Sequence, residues 1–423
     1  MIIPSIDIMD GRAVQLIGGK EKAVDAGDPR PIAERFAPVG EIAVIDLDAA
    51  LGRGSNAPII EELCRIARCR VGGGIRDERT AVRWLDAGAR KIILGTAAEP
   101  RLLASLPRER TIAALDSRDD QVVVEGWTRT TSARVEDRIA ELREFVGGFL
   151  VTFVEREGRM GGLPLDRVAS LVRCAGERSL TVAGGVRSAA DIAQADRLGA
   201  DAQVGMALYT GAITLAEGFC APLRSDRSDG LWPTIVVNEH GTALGLVYSS
   251  LESVRTALEE RRGVYWSRSR GGLWRKGDES GNTQHLVRID VDCDRDTLRF
   301  TVRQRGSGFC HRGTQTCFGP PAGLEQLEQI IDARMEAAPP GSYVQRLLDD
   351  PALLRAKLLE ECGELVDATS AEHAAWEAAD VLFFALTAAR SRGATLAAIE
   401  AELDRRSLEV TRRSGDAKPG TGG

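Results

Sequence analysis

The 423-residue sequence lacks the features that would direct it to a membrane, to an export route or to nucleic acid. Residues 1–12 contain no basic start followed by an apolar core, so we expect no export signal. No apolar run is long enough to span a bilayer, which argues against a membrane protein. The formal net charge of −7 argues against a general nucleic-acid surface, because such surfaces are basic. We therefore expect a cytoplasmic protein that binds neither nucleic acid nor membrane.

Paired cysteine spacing is also missing, because the eight cysteines are scattered along the chain. Only Cys293, Cys310 and Cys317 share a neighbourhood, which is rich in Asp, His and Gly. In a chain without an expected export signal, this grouping indicates metal binding before disulfide formation. The length predicts roughly two to four domains.

Residues 1–223 repeat a pattern in which a short apolar run precedes a helical stretch. The runs lie at residues 2–7, 43–46, 70–72, 91–95, 111–116, 149–153, 180–183 and 202–205. Such repeated units predict a multidomain protein that begins with an α/β barrel of the TIM type, with an open doubly wound sheet as the alternative. An internal repeat favours the barrel, because residues 71–76 (VGGGIR) recur as residues 182–187 (VAGGVR).

Asp7 and Asp116 end their strands at nearly the same offset in the two halves of this repeat. Barrel enzymes place their chemistry at the carboxyl ends of strands, where two facing carboxylates can act as general base and general acid. The repeated Gly-Gly turns expose backbone N–H groups suited to phosphate, so they predict a substrate with a phosphate at each end. The alternative is that the aspartates cap helices and the glycines only form turns.

The composition and the hydrophobic pattern change after residue 223 and indicate two further domains. Residues 224–230 are charged and Gly-containing, as expected of a linker. Five β-type runs follow, at residues 234–237, 244–248, 263–267, 286–291 and 298–304, and predict a mostly β metal-binding domain over residues 224–320. From residue 324 the chain is mainly helical, which predicts an all-α bundle over residues 321–423 with a polar tail from Ser414 onward.

Residues 288–296 (RIDVDCDRD) place an acidic side chain at every second position. On an extended strand these carboxylates would share one face, opposite Cys293. A row of like charges suits Mg²⁺, whereas Cys293, Cys310 and Cys317 suit zinc with an open position for water. The alternative is a solvated acidic hairpin with unrelated cysteines. The acidic residues are Asp290, Asp292, Asp294 and Asp296.

Two groups of acidic residues occur at helical spacing in the last domain. Residues three or four apart share a helix face, and the apolar sequence around both groups predicts that this face is interior. Buried like charges repel, and a divalent metal is the simple remedy. The alternative is an exposed acidic stripe. The groups are Glu360, Glu361 and Glu364, and Glu377 and Asp380.

Residues 1–223 resemble the phosphoribosylformimino-aminoimidazole-carboxamide ribotide isomerase family over nearly their whole length. The matching stretches are residues 2–16 (IIPSIDIMDGRAVQL), 44–56 (VIDLDAALGRGSN), 71–76, 92–98 (IILGTAA), 114–127 (ALDSRDDQVVVEGW), 182–188 and 204–211 (VGMALYTG). The resemblance implies an aldose–ketose rearrangement, with Asp7 as base, Asp116 as acid and Thr152 near the reacting sugar. The glycines that it implies near the phosphates are Gly73, Gly74, Gly95, Gly184 and Gly205.

The barrel departs from that family at three positions. Gln15 stands where the family usually has Arg, Glu157 where an Asp-Gly-Thr begins, and Ala183 where Ser is usual. The missing Arg removes a charge-assisted contact, and the longer acid displaces its carboxylate by about one methylene. A non-catalytic barrel kept for assembly is therefore the competing hypothesis.

Residues 230–319 closely resemble phosphoribosyl-AMP cyclohydrolase. The motifs are residues 244–250 (LGLVYSS), 262–270 (RGVYWSRSR), 273–277 (LWRKG), 280–284 (SGNTQ), 292–298 (DCDRDTL) and the pair GFCH (308–311) and TCF (316–318). The resemblance implies zinc-assisted attack of water that opens the purine ring between N1 and C6. It implies an obligate homodimer, because the family completes its zinc site across a dimer interface. The implied ligands are Cys293, Cys310 and Cys317 for zinc, and Asp292, Asp294 and Asp296 for magnesium.

Other polar residues of this domain are candidates for substrate contacts. Trp266, Arg268 and Ser269 offer groups for a ribose phosphate, with a basic strand end as the alternative. His311 could shuttle protons, although a lone His is as often structural. Asn282 stands where many relatives carry His.

The helical segment resembles phosphoribosyl-ATP pyrophosphohydrolase through residues 360–364 (EECGE) and 376–386 (WEAADVLFFAL). The resemblance implies Mg²⁺-dependent release of pyrophosphate, with Glu360 as a candidate base or extra ligand. The tail at residues 410–418 also fits that family. The implied magnesium ligands are Glu361, Glu364, Glu377 and Asp380.

These three resemblances name consecutive steps of histidine biosynthesis. They predict a multifunctional homodimeric enzyme that uses Zn²⁺ and Mg²⁺ and takes small phosphorylated ribonucleotide intermediates. The competing class is a regulatory or binding protein assembled from inactive enzyme domains.

Overall fold

A computed structural model describes residues 1–124, 126–127 and 129–411. The tail predicted from Ser414 onward lies outside the described residues, as does most of the segment at 410–418. The chain divides into two compact units. The first comprises residues 1–235 and 246–303 and the described residues from 408 on, and the second comprises residues 236–245 and 304–407.

The first unit begins with a twelve-stranded sheet that contains a closed barrel. Its strands are β1 (Ile2–Met9), β2 (Arg12–Ile17), β3 (Glu21–Gly27), β4 (Glu41–Asp46), β5 (Arg68–Gly72), β6 (Lys91–Leu94), β7 (Thr111–Arg118), β8 (Gln121–Val124), β9 (Arg129–Arg134), β10 (Gly148–Phe153), β11 (Ser179–Ala183) and β12 (Ala200–Val204). Eight of them are parallel, in the order β10-β11-β12-β1-β4-β5-β6-β7, and β7 pairs with β10 to close the circle. This closure confirms the predicted TIM-type barrel and excludes the open doubly wound sheet.

Helices alternate with the barrel strands. They are α1 (Pro29–Phe36), α2 (Leu47–Leu51), α3 (Ala57–Ile66), α4 (Glu78–Asp86), α5 (Pro100–Leu103), α6 (Val135–Leu142), α7 (Leu165–Ala175), α8 (Ala189–Arg197), α9 (Met206–Tyr209) and α10 (Leu215–Cys220). The two repeated Gly-Gly motifs lead into α4 and α8. Asp77 caps α4 by accepting the Thr80 N–H at 2.7 Å, and Ser188 forms a capping box with Asp191 at the start of α8.

The hairpins β2–β3 and β8–β9 were not part of the sequence prediction. Each follows a strand that carries one of the two aspartates, Asp7 on β1 and Asp116 on β7, and each pairs antiparallel with that strand. The duplicated halves therefore share this insertion as well as their Gly-Gly turns. The hairpins lie where loops at the carboxyl ends of the strands can enclose a ligand.

The barrel interior contains an apolar layer below the carboxyl ends of the strands. Ile93, Ile112, Leu150 and Ala183 form a buried cluster contributed by four different strands. Such inward-pointing aliphatic side chains make the barrel a packed core rather than a pore. Burial of each Ile or Leu side chain in this cluster stabilises the fold by about 1.5–3 kcal/mol.

After the barrel, a second sheet has the strand order β16-β15-β14-β13-β18-β17. The strands are β13 (Trp232–Val237), β14 (Ala243–Ser249), β15 (Val264–Ser267), β16 (Gly272–Arg275), β17 (Gln284–Val291) and β18 (Leu298–Gln304). Helix α11 (Leu251–Glu260) lies between β14 and β15 and begins with a capping box formed by Ser250 and Ser253. These strands confirm the mostly β middle region.

Five helices follow in the second unit: α12 (Gly323–Glu336), α13 (Tyr343–Asp349), α14 (Pro351–Asp367), α15 (Ala371–Arg390) and α16 (Leu396–Ser407). They confirm the helical C-terminal region. Ile331, Val344, Leu386 and Leu396 form one buried cluster between them. None of the helices in the described ranges combines the length and the apolar character that crossing a membrane requires.

Candidate functional site

A cavity of about 600 Å³ opens at the carboxyl ends of the barrel strands. Its lining includes every barrel residue that we predicted to be catalytic or to bind phosphate, together with residues of both hairpins. The predicted barrel residues that line it are Asp7, Gly73, Gly74, Gly95, Asp116, Thr152, Gly184 and Gly205. The structure therefore brings the two aspartates and both Gly-Gly turns to one cavity, which has the volume expected of a small-molecule site.

The environment of the two aspartates favours their protonated forms. Burial raises the pKa of Asp7 to about 7. Burial also raises the pKa of Asp116, against hydrogen bonds from the side chains of Trp127 and Thr152, which lower it. A carboxyl group with a pKa near neutral pH can exchange protons in both directions at little cost, as acid–base catalysis requires.

Glu157 is a third carboxyl group in the same cavity. Its pKa is raised to about 8, first by burial and then by the charges of Asp7 and Asp116. From the sequence we expected only that the longer side chain would displace a carboxylate, and we did not predict a three-carboxyl cluster. Glu157 lies just after the short 3₁₀ turn that follows β10, and its approach to the aspartates depends on closure of the barrel.

The Gly-Gly turns need glycine for two physical reasons. Gly73 and Gly184 have φ values of +95° and +86°, a region that residues with a side chain rarely adopt. A Cβ at Gly73 would also collide with the backbone of Asp46, and one at Gly184 with the backbone of Phe153. The two turns therefore lie directly against the preceding strand ends, and their glycines line the cavity, where backbone N–H groups can bind phosphate.

The two halves of the cavity differ at the last glycine of each repeat. Gly95 has no neighbour within 4 Å of the position that a Cβ would take. At Gly205 that position is occupied by Gln15 and by Ser5, whose Oγ would lie 2.9 Å away. Gln15, the residue that replaces the usual Arg, is thus buried beside one of the two phosphate-type turns.

The acidic run of the middle region does not form the strand that we predicted. Strand β17 ends at Val291, and residues 292–296 form a turn in which Arg295 has a φ of +67°. The turn forms because the Asp292 carboxylate accepts the N–H groups of Asp296 and Thr297, both at 3.1 Å. We call this segment, residues 292–297, the acidic turn.

The acidic turn still brings three of the four aspartates together. One carboxylate oxygen from each of Asp292, Asp294 and Asp296 lies within 4.8 Å of the other two. Asp290 remains on β17, where Arg288 and Arg299 pair with it at 2.8 and 2.9 Å. A set of three carboxylate oxygens at this separation fits a hard divalent cation such as Mg²⁺.

The three cysteines predicted to bind zinc belong to different units. Cys293 lies in the acidic turn of the first unit and is exposed. In the second unit, the side chains of Cys310 and Cys317 are within hydrogen-bonding distance of each other. The pKa of Cys310 is lowered, chiefly by the backbone N–H of Arg312 and by the Thr314 hydroxyl. A thiol that ionises readily, next to a second one, fits zinc, which binds thiolates.

The loop that carries these thiols is fixed at both ends by backbone hydrogen bonds. The Cys310 N–H donates to the Thr314 carbonyl at 3.0 Å, and the Cys317 N–H donates to the Leu244 carbonyl at 2.8 Å. His311 is exposed in this loop. Its proposed role in proton transfer stays a prediction.

The residues predicted to contact a ribose phosphate lie at the end of β15. Trp266 pairs with Tyr248 of the neighbouring strand, and the guanidinium of Arg268 lies 3.9 Å from the centre of the Tyr248 ring. Arg227 of the linker lies over the same ring at 4.7 Å, a contact that the sequence did not predict. Ser269 is exposed, and its Oγ is 3.3 Å from the Oγ of Ser267.

In the second unit, helices α14 and α15 assemble the predicted carboxylate cluster. One oxygen each from Glu361, Glu377 and Asp380 lies within 4.8 Å of the others. Glu361 and Glu377 are both only 6% exposed, and Oε2 of Glu377 is buried with no hydrogen-bond partner in the described residues. An unsatisfied buried carboxylate oxygen inside an acidic cluster fits a divalent cation.

Two further predicted residues border this cluster. Glu364 is exposed, and its pKa is raised first by partial desolvation of its carboxylate and then by the charges of Glu377 and Glu361, which lie on the same helix pair. Glu360 is also exposed and pairs with Lys357 at 3.0 Å. Lys357 pairs in addition with Glu361 at 2.8 Å, so one cation is already held against this group of carboxylates.

Comparison with known protein families gives three matches in series. A family model described as histidine biosynthesis protein matches residues 1–214. A model of phosphoribosyl-AMP cyclohydrolase matches residues 245–319, and one of phosphoribosyl-ATP pyrophosphohydrolase matches residues 324–407. The order of these matches confirms the fusion that the sequence motifs predicted.

Similar curated proteins include fungal histidine biosynthesis proteins and an isomerase. The histidine biosynthesis bifunctional protein of Schizosaccharomyces pombe is 53% identical over 206 residues, which are 49% of this chain and 49% of the relative. A histidine biosynthesis trifunctional protein of Neurospora crassa is 53% identical over 208 residues, 49% of this chain and 24% of the relative. An imidazole-4-carboxamide isomerase of Methanosphaerula palustris is 39% identical over 239 residues, 52% of this chain and 98% of the relative. The chain thus spans about half or less of the two fungal relatives.

Proposed function

Because the chain belongs to the histidine biosynthesis protein family and joins its barrel to a cyclohydrolase and a pyrophosphohydrolase domain, we propose that it catalyses three successive reactions. The helical domain releases pyrophosphate from phosphoribosyl-ATP, the middle domain opens the purine ring of phosphoribosyl-AMP, and the barrel isomerises the resulting aldose. The observation that carries this proposal is that each matched segment gathers its own group of carboxylates, in the barrel cavity, in the acidic turn and between α14 and α15.

In the barrel, we assign general base catalysis to Asp7 and general acid catalysis to Asp116. Aldose–ketose rearrangement moves a proton from C2 of the sugar and returns one near C1, so it needs both kinds of group. With a pKa of about 7, Asp7 is ionised in a large part of the molecules at neutral pH, whereas Glu157, at about 8, stays mostly protonated. The Gly-Gly turns bind the two phosphates and orient the sugar between the carboxyl groups.

The competing role for the barrel is a scaffold without activity, and Gln15 and Glu157 are the observations that favour it. Replacement of Asp7 separates the two hypotheses. An active barrel loses isomerisation in Asp7→Asn, while an inactive barrel shows no isomerisation in either protein. Both hydrolytic reactions serve as internal controls, because their residues lie in other parts of the chain.

In the middle domain, we propose Cys293, Cys310 and Cys317 as zinc ligands and the acidic turn as a magnesium site. Bound zinc would supply an activated water for hydrolysis. The chain's own contribution is to lower the pKa of Cys310, through the Arg312 N–H and the Thr314 hydroxyl, and to present Arg268 to the nucleotide phosphate.

In the helical domain, we propose Glu361, Glu364, Glu377 and Asp380 as magnesium ligands, with Glu360 placed to accept a proton from water. Bound Mg²⁺ would neutralise the triphosphate and lower the pKa of a water molecule. The buried Glu361 and Glu377 fix the cluster, whereas the exposed Glu360 and Glu364 can reach a substrate in solvent.

We also propose that the enzyme is a homodimer and acts in the cytoplasm. Large apolar side chains are exposed on α14 and α15, including Leu359 at 62%, Val366 at 83% and Trp376 at 72%. Large apolar side chains exposed to this extent on one helix pair are the kind of surface that a second copy of the chain could cover. Light scattering coupled to size-exclusion chromatography tests the assembly, and a monomer at micromolar concentration would contradict it.

The experiment that tests the whole proposal supplies phosphoribosyl-ATP with Mg²⁺ and Zn²⁺ and identifies the end product by mass and absorbance. We expect pyrophosphate and the isomerised ketose. Accumulation of phosphoribosyl-AMP would exclude activity of the middle domain, and accumulation of the aldose would exclude activity of the barrel.

A further inference from the structure

Asp196 is a buried carboxylate at an unusual place on the barrel. It lies in the last turn of α8, and its side chain is only 4% exposed. The C-terminal end of a helix is the negative end of its dipole, so a buried carboxylate there is unfavourable unless cations compensate it. Because α8 leads into the start of β12, Asp196 lies at the end of the barrel opposite the cavity.

The guanidinium of Arg295, a residue of the acidic turn, pairs with the Asp196 carboxylate. Arg295 forms two parallel hydrogen bonds with the carboxylate, with Nη2 at 2.7 Å from Oδ1 and Nε at 2.8 Å from Oδ2. The amino group of Met1 also donates to Oδ1, at 3.0 Å. Two-point pairing of this kind fixes the orientation of a guanidinium as well as its position.

The backbone of Arg295 is anchored at the same point. Its carbonyl accepts the N–H of Arg224 at 2.8 Å. Its φ of +67° is uncommon for a residue other than Gly, Asn or Asp, so the turn adopts at Arg295 a conformation that the surrounding contacts must stabilise. Arg295 lies between Asp294 and Asp296, and the anchor therefore sets the position of both neighbouring carboxylates.

We infer that Asp196 is a positioning residue through which the barrel, by holding Arg295, fixes the acidic turn of the cyclohydrolase in the conformation that binds its metal. The inference rests on the proposed function of that turn. Asp196 lies outside the segment that matches the cyclohydrolase family, residues 245–319, and inside the segment that matches the barrel family, residues 1–214. The contact therefore gives the barrel a part in a reaction that it does not itself catalyse.

The anchor at Arg295 would act by preorganising the metal ligands. Three carboxylates within 4.8 Å repel one another when no cation is bound, so an unanchored turn would open and would have to be reordered by each binding event. Loss of a group that orients metal ligands typically weakens metal binding by about 10- to 100-fold. Asp196 and Arg295 act as one unit, so removing both should weaken binding no more than removing either.

The test measures Mn²⁺ binding, as a substitute for Mg²⁺, by electron paramagnetic resonance in full-length protein without substrate. All proteins carry Glu377→Gln, so that the helical cluster does not add to the signal. The compared changes are Asp196→Asn, Arg295→Asn and both together. Asn tolerates the left-handed conformation of Arg295, so this substitution removes the guanidinium without imposing a new backbone strain.

The matched control is Arg299→Asn, which removes an arginine of the same domain whose partner, Asp290, lies outside the acidic turn. We expect the Mn²⁺ dissociation constant to rise about tenfold in each single variant and in the double variant, and to stay within about twofold in the control. Hydrogen exchange at the Asp296 and Thr297 amides should accelerate in the same three proteins.

Isomerisation in the barrel serves as the measure of folding, because Asp196 lies at the opposite end from the cavity. Equal Mn²⁺ affinities in the parent and in the Asp196 and Arg295 variants would overturn the inference and leave the proposed function intact. A parent protein that binds no Mn²⁺ at the acidic turn would overturn both the inference about Asp196 and the proposed metal site of the turn. If Asp196→Asn does not isomerise its substrate and is therefore misfolded, the Mn²⁺ affinity of Arg295→Asn decides whether the inference holds.

Discussion

The carboxylate cluster between α14 and α15 predicts that replacing Glu377 stabilises the helical region when no metal is bound and destabilises it when Mg²⁺ is bound. At 4.8 Å, two unit charges repel by about 3.5 kcal/mol if the effective dielectric constant is about 20. Lys357, whose ammonium lies 2.8 Å from Glu361, offsets part of this repulsion, and Nε2 of His373 lies 3.1 Å from Glu377. We therefore expect Glu377→Gln to stabilise the metal-free helical region by about 1 kcal/mol, as an order of magnitude.

When Mg²⁺ is present, the wild type should become more stable than Glu377→Gln. At a Mg²⁺ concentration of about 100 times the dissociation constant, binding stabilises the native wild-type protein by about 2.7 kcal/mol. Glu377→Gln loses a ligand, and with it most of this gain, so the wild type should become the more stable protein by roughly 1–2 kcal/mol.

Hydrogen exchange of peptides from α14 and α15, with EDTA and with Mg²⁺, measures the free energy of local opening directly. Glu336→Gln is the matched control, because Glu336 is an exposed carboxylate on α12 in the same unit and outside the cluster. Its effect should stay within about 0.5 kcal/mol under both conditions. A Glu377→Gln protein that is less stable than the wild type both with and without metal would refute the reasoning, because it would mean that Glu377 is a structural residue with a satisfied carboxylate.

Three further predictions concern the first unit. The rate of isomerisation should rise with pH through about 7, the pKa of Asp7, because the base must be ionised, and a pH-independent rate between 5 and 9 would contradict this assignment. The folded-state pKa values of Asp7 and Glu157 lie above those of the unfolded chain, so their contribution to stability is present below about pH 4 and is lost as pH rises through about 7 and 8; thermal unfolding at pH 6 and 9 should show the barrel to be more stable at pH 6. Replacement of Tyr248 by Leu should raise the KM for phosphoribosyl-AMP about threefold with kcat unchanged, because it removes a ring contact of roughly 0.5–1 kcal/mol that orients Arg268, and a change in kcat alone would contradict it.

The barrel could be predicted from the sequence because its signals are local and repeated. Eight apolar runs and two Gly-Gly motifs identify the strands and the turns, and duplication indicates that like residues face one cavity. The hairpins were missed because β3 (Glu21–Gly27) is mostly exposed and has no clear apolar alternation. Its pairing with β2 also shifts register, so a period of two does not describe it.

The acidic turn shows why spacing alone was insufficient in the middle domain. The alternation of acidic residues predicted a strand with four carboxylates on one face. In the structure the Asp292 carboxylate accepts the N–H groups of Asp296 and Thr297, and the strand ends at Val291. The convergence of Asp292, Asp294 and Asp296 was nevertheless foreseen, because both conformations bring alternate residues to one side. The cluster between α14 and α15 could be predicted more directly, because residues three or four apart on a helix lie on the same face.

Glu157 and Asp196 illustrate what a single sequence does not contain. Glu157 reaches Asp7 and Asp116 only because strands far apart in the chain close into a barrel. Asp196 meets Arg295 across 99 residues of sequence, from a helix that has no catalytic motif. Neither position carries a local pattern, and only the folded chain shows which charges surround them.

The most direct test of the central claim is the product that an Asp7→Asn protein forms from phosphoribosyl-ATP in the presence of Mg²⁺ and Zn²⁺. We predict one pyrophosphate for each substrate consumed and quantitative accumulation of the ring-opened aldose, because both hydrolytic sites remain and only the barrel base is lost. Formation of the ketose by this variant, or consumption of substrate without pyrophosphate, would contradict the assignment of three reactions to three groups of carboxylates.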